Sequence, residues 1–162
     1  MDKALIAEAS KNLRLLSIVL YESNLKRFSE IPEDGDLGQQ TKLDVKADKL
    51  DITKLEKSLS VLRVLVDLGV RIVNDGVSRE TEPESLFQIE ATFQLDYELT
   101  NSVEQGALDE FARYNSVHNV WPFWRQFVFN TANQAGLPCP EVSLNISLQS
   151  LETAKQKSLS SE

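Results

Sequence analysis

Residues 86–99 read LFQIEATFQLDYEL, and their alternation decides the fold. Phe87, Ile89, Ala91, Phe93, Leu95, Tyr97 and Leu99 fall on one side, and Gln88, Glu90, Thr92, Gln94, Asp96 and Glu98 on the other. Successive side chains of a strand leave opposite faces of the sheet. The stretch therefore predicts a long antiparallel strand with one dry face and one wet, acidic face. Toward the N-terminus, residues 60–73 carry a second such face, Leu62, Val64, Val66, Leu68, Val70 and Ile72. Residues 74–85 (NDGVSRETEPES) are a polar connection between the two.

Further out the pattern is less regular. In residues 42–52, Leu43, Val45 and Ala47 are apolar on odd positions, then Leu50 and Ile52 on even ones. That slip predicts a bulge or a bend between two strands. Residues 31–41 (IPEDGDLGQQT) hold Pro32, Gly35 and Gly38 and read as a loop. Residues 13–28 fit a helix through Leu13, Leu16 and Leu20, but their β-branched and aromatic content fits a strand better. Asp2 is placed to cap a short amphipathic segment over residues 3–12.

On the C-terminal side, Ser102 and Gln105 have the spacing of a capping box. A helical stripe follows in Leu108, Phe111 and Ala112. Pro122 disfavours helical geometry in the residue before it, so residues 116–120 are expected to loosen. A second helix is expected over residues 122–135, closed by Gly136 in a left-handed conformation and by Pro138. Residues 142–148 read as a short extended piece. Residues 151–162 form a polar tail, and residues 1–150 one domain. Strands first and helices after give an α+β class: a four-stranded antiparallel sheet with a long C-terminal helical unit packed on it.

That unit opens with HNVWPFWRQFV, residues 118–128, which holds both tryptophans, Trp121 and Trp124. With Phe123, Phe127 and Phe129 it carries more aromatic surface than one helix face needs. The surplus has three readings: core of the same chain, an interface between subunits, or direct contact with a bound partner. Arg125, one turn after Trp121, either stacks on that indole or is solvated.

Composition excludes several function classes. The 162-residue chain has a net charge of −8, against the clustered Lys and Arg that phosphate binding needs, so nucleic acid is not an expected partner. The single cysteine, Cys139, allows no disulfide within the chain. No segment has the length of a membrane span, and the N-terminus does not read as a signal peptide, so a cytoplasmic protein is expected. One histidine, His118, and one cysteine cannot fill a zinc site. The intervening helix would hold them roughly 20 Å apart, too far for proton transfer. None of the six glycines forms a phosphate-cradling loop. The inventory points to a protein without catalysis, metal or cofactor.

The aromatic run also carries a resemblance. Trp121-Pro122-Phe123-Trp124-Arg125 is similar to the aromatic–Pro–aromatic–x–Arg motif that opens a helix in the SecB family of protein-export chaperones. Pro138, sixteen residues after Pro122, matches that family's second proline, and Leu144-Asn145-Ile146 its apolar–Asn–aromatic element. Phe87 and Glu90 keep the spacing of its middle strands. Trp124 departs from the family, which keeps a small residue there. The chain resembles a divergent member.

The resemblance implies a homotetramer built as a dimer of dimers. It implies an ATP-independent holdase that binds unfolded or secretory polypeptides and passes them to the SecA motor. The alternative is an adaptor dedicated to one partner, such as the antitoxin of a toxin–antitoxin pair. Ile31, Leu37, Phe123 and Phe127 become candidate client-binding residues. Trp121, Trp124 and Phe111 become candidate interface residues, so that Trp124→Asp would lower the oligomeric state. Glu90, Asp96 and Glu98 become candidate contacts for the motor. A small-ligand binding protein with its ligand on the apolar face is a third reading.

Overall fold

The computed structural model describes residues 1–33, 35–54, 57–75 and 83–144. Helix α1 (Lys3–Asn12) is capped by Asp2, whose Oδ1 accepts from the backbone N–H groups of Ala4 at 2.9 Å and Leu5 at 3.3 Å. Four strands follow: β1 (Leu13–Arg27), β2 (Leu37–Lys54), β3 (Lys57–Asn74) and β4 (Glu84–Leu99). Their order in the sheet is β1-β4-β3-β2, with every pair antiparallel. The connection between β1 and β2 therefore joins the two edges of the sheet. The helical unit is α2 (Gln105–Phe111), a π-helical turn over Ala112–Ser116, and α3 (Val117–Ala135). These run on as one helix of 31 residues.

The register explains the dry face. Leu43 pairs with Leu68 and Leu68 with Ala91, and likewise Val45 with Val66 and Val66 with Phe93, so each trio forms one row across the sheet. Buried side chains of the helical unit, among them Leu108, Phe111, Val117, Val120, Trp124 and Val128, close the core over this face. Their spacing of three and four residues keeps them on one side of the helix. Each such side chain, fully buried, contributes about 1.5–3 kcal/mol. Aromatic edges add direction: Tyr97 meets Phe111 at 5.0 Å between ring centroids, and Phe93 meets Phe127 at 6.5 Å, both pairs near perpendicular.

Four details differ from expectation. The slip in residues 42–52 is not a bulge, because β2 pairs with β3 from Leu37 to Lys54 without a register shift. Instead Leu50 lies on the wet face opposite Val61, which is 1% exposed. The apolar residues change face while the strand runs straight. Real bulges occur in β1, around Leu16 and Tyr21, where apolar residues run consecutively. The loop at residues 31–41 is shorter than expected, since Leu37 already pairs with Asn74.

Ser102 does not cap a helix. The first turn starts at Gln105 after Glu104, which makes no side-chain cap.

Finally, Pro122 does not open a helix but sits inside α3. A proline removes one main-chain bond and crowds the carbonyl four residues back, here that of His118. Both residues are on the exposed side, so water can serve that carbonyl, and the wide turn at Ala112–Ser116 lies just upstream. The C-terminus follows expectation: Gly136 has φ 63° and ψ 35°, and Leu137 N–H bonds to Ala132 O at 2.9 Å. Residues 145–148 of the expected extended piece, and the tail 151–162, lie outside the described residues.

Candidate functional site

Helix α3 does not cover the dry face evenly. Leu43, Val45 and Ala47 of β2 are only half-buried, whereas Val64, Val66 and Leu68 of β3 are buried. Beside β2 the space between sheet and helix opens into a cavity of about 320 Å³. Leu43, Leu68 and Val70 form its floor and Trp121 and Trp124 its helical wall, while Val142 of the segment after α3 borders it. Gln39 and Glu141 stand at the rim. A mostly apolar hollow with a few polar groups at its mouth suits an apolar side chain attached to a polar backbone.

Polar groups at the rim already hold main chain. Trp121 Nε1 donates to Ser143 O at 2.9 Å, and Arg125 Nε to Val142 O at 3.3 Å. The Gln39 amide donates to Glu141 O at 2.7 Å and accepts from Glu141 N–H at 2.9 Å. Arg125 thus spends its Nε–H on a backbone carbonyl, a use neither sequence reading foresaw.

The residues expected to bind clients are divided between two places, and none of them lines this cavity. Phe123, 47% exposed, and Phe127 border a smaller hollow of about 220 Å³ on the opposite side of α3, with Ile18 and Leu20 of β1. Ile31 packs half-buried on the core in the β1–β2 connection, and Leu37 is exposed at the start of β2.

Of the expected interface residues, Trp124 and Phe111 are core of the protomer, at 3% and 4% exposure, with little surface left for a neighbour. Trp121 is half-buried in the cavity wall. The apolar surface that is exposed lies elsewhere. Along β1, an edge strand, Leu15, Leu16, Val19, Leu20, Tyr21 and Leu25 are between 38% and 63% exposed. Phe123 and Phe129 are exposed on α3.

The acidic residues of the wet face are paired within the sheet. Asp96 takes two bonds from Arg63, each 2.8 Å, a bidentate pair that raises the guanidinium pKa. Glu98 meets Arg14, and Glu90 meets Lys42 at 3.5 Å. The Glu90–Lys42 pair is exposed and exchanges partners at little cost, but the side chains of Asp96 and Glu98, 15% and 18% exposed, are held by Arg63 and Arg14. On the dry side Tyr97 is buried, and burial pushes its phenol pKa up. Its oxygen accepts from Asn119 Nδ2 at 3.0 Å, which fixes α3 on β4.

Sequence reasoning missed Gln39, Leu43, Leu68, Val70 and Val142 as a group. Each reads alone as strand or linker. The pairing of β2 with β3 sets Leu43 beside Leu68 and near Val70, and the docking of residues 139–144 against Gln39 and α3 adds Val142.

Among the described residues no helix is long and apolar enough to cross a membrane, and no group of three or more His, Cys, Asp or Glu side chains could hold a metal. No family model matches the chain, and no curated protein matches its sequence. A search of solved structures finds the SecB-like chaperone Rv1957 of Mycobacterium tuberculosis, solved in complex with a ChAD peptide from the HigA1 antitoxin. The likeness covers 90% of this chain and 99% of that one, with a TM-score of 0.74 and 13% sequence identity. Four antiparallel strands followed by a long C-terminal helix, superposable over nearly the whole chain, give this protein the SecB-like fold.

Proposed function

We propose that this protein is a holdase chaperone that binds unfolded polypeptides in extended form and needs no nucleotide to do so. The observation that carries the reading is the cavity at Leu43, Leu68, Trp121 and Trp124, with main-chain-binding groups at its mouth. An apolar side chain enters such a cavity while the backbone beside it keeps hydrogen bonds, so many sequences fit. Phe123 and Phe127, with Ile18 and Leu20, make a second apolar contact for a longer client, while Ile31 lies on the connection from β1 to β2 and Leu37 opens β2. A structural neighbour bound to a peptide supports the reading.

A dedicated-partner role is the second reading. What favours it is that the peptide on the neighbour comes from an antitoxin. Delivery to a SecA-type motor through Glu90, Asp96 and Glu98 is the finer form of the first reading. Their pairing with Lys42, Arg63 and Arg14 means that a motor would have to compete for them. We assign export clients to this chain only in that form.

Assembly is part of the proposal. The outer edge of β1, which no described strand pairs, and its exposed apolar residues suit pairing with a second copy, and Phe123 and Phe129 suit helix contacts between pairs. Trp121, Trp124 and Phe111 then act on the interface from inside, by shaping α3. A dimer of dimers of the 18.2 kDa chain is the expected species by light scattering, and Leu20→Glu is expected to lower that mass.

The functional test is direct. An unfolded client diluted from denaturant should aggregate more slowly with this protein present and nucleotide absent. Aggregation at the same rate, across a range of clients and at excess protein, would sink the holdase reading. Suppression confined to one client would select the dedicated partner.

A further inference from the structure

Residues 139–144, which follow α3, are held in the way a bound peptide is held. Four hydrogen bonds that hold them join a side chain to their main chain: two with Gln39, one from Trp121 and one from Arg125. The Gln39 amide meets both main-chain groups of Glu141, as a residue of a neighbouring strand does. Pro140 is buried and Val142 half-buried, while Glu141 and Ser143 face outward. Such contacts read extended backbone with an apolar residue at intervals and ignore side-chain identity. The cavity of about 320 Å³ lies beside Val142.

We infer that Gln39, Trp121 and Arg125 form a backbone-binding subsite, and that residues 139–144 occupy it as a displaceable strap that competes with the client. The inference rests on the polypeptide-holding role proposed above. Residues 139–144 are not a strand of the sheet, so they open at lower cost than it does. A client then sees a site reduced by the fraction in which the strap is seated, and loosening the strap raises the apparent affinity.

The test uses the full chain and a reduced, carboxymethylated, permanently unfolded protein as probe. The variant Pro140→Gly/Val142→Ser removes the strap's apolar anchors and leaves Gln39, Trp121 and Arg125 intact. It should bind the probe about fivefold more tightly than the wild type. In the wild type, hydrogen exchange of the Glu141 amide should speed up when the probe binds, because its bond to Gln39 Oε1 is broken. Binding by the variant alone would also support the strap. A variant that binds no more tightly, or a Glu141 amide that is unchanged or slowed, overturns the strap and leaves the client reading standing. No binding by either protein overturns the client reading itself.

Discussion

Replacing Trp124 by alanine is expected to lower the unfolding free energy of the protomer by about 3–5 kcal/mol. The indole is 3% exposed and lies on Phe127 with ring centroids 6.2 Å apart and planes 23° from parallel. Phe127 in turn meets the edge of Phe93 on β4, so Trp124 ends an aromatic chain that ties α3 to the sheet. The same indole walls the cavity beside β2. Its loss enlarges a space that already exists, and neighbours cannot close a gap of that size by small shifts. Urea unfolding of wild type and variant measures the loss. A loss below about 1 kcal/mol, together with a fall in solution mass, would instead return Trp124 to a subunit interface. Trp124→Asp, which would be a mild probe of an interface, is expected to prevent folding because it buries a charge.

The second large effect concerns binding. Leu43→Trp should weaken the affinity for an unfolded polypeptide at least about tenfold, or about 1.4 kcal/mol. Leu43 sits on the edge strand β2, half-buried, with its side chain on the cavity floor. A larger side chain there grows into empty space rather than into packed neighbours, so the usual strain of overpacking is small. Stability should stay within about 1 kcal/mol of the wild type. Titration calorimetry with an unfolded polypeptide gives the affinity, and urea unfolding of the same sample gives the stability. An unchanged affinity would place the client outside this cavity, with the hollow at Phe123 and Phe127 as the next candidate.

The fold was legible where burial and local chemistry agree. Residues 86–99 alternate because one face of β4 is core, and they pair as expected. Gly136 ends α3 because only glycine takes its left-handed conformation without strain. Where the two disagree, the sequence misled. Leu50 mimics a bulge because an apolar residue sits on a wet face opposite buried Val61. Pro122 mimics a helix start because its missing bond falls on the solvent side.

The strand order was not readable, since pairing β1 with β4 depends on long-range register. The site was legible only in part. Trp121 and Trp124 were singled out for their excess aromatic surface, and both line the cavity. Their partners were invisible because Gln39 and Val142 gain their roles from a strap that folds back by more than a hundred positions, as the contact between Gln39 and Glu141 shows.

The chain has two tryptophans, and both stand in the cavity wall, so their emission reports on what enters it. The most direct measurement titrates a tryptophan-free unfolded polypeptide into the protein and records tryptophan fluorescence. Binding is followed in parallel by the anisotropy of a label on the polypeptide. If clients are held in this cavity, emission changes and saturates with the same midpoint as the anisotropy. If the polypeptide binds while emission stays as it was, or does not bind at all, the cavity is not the client site.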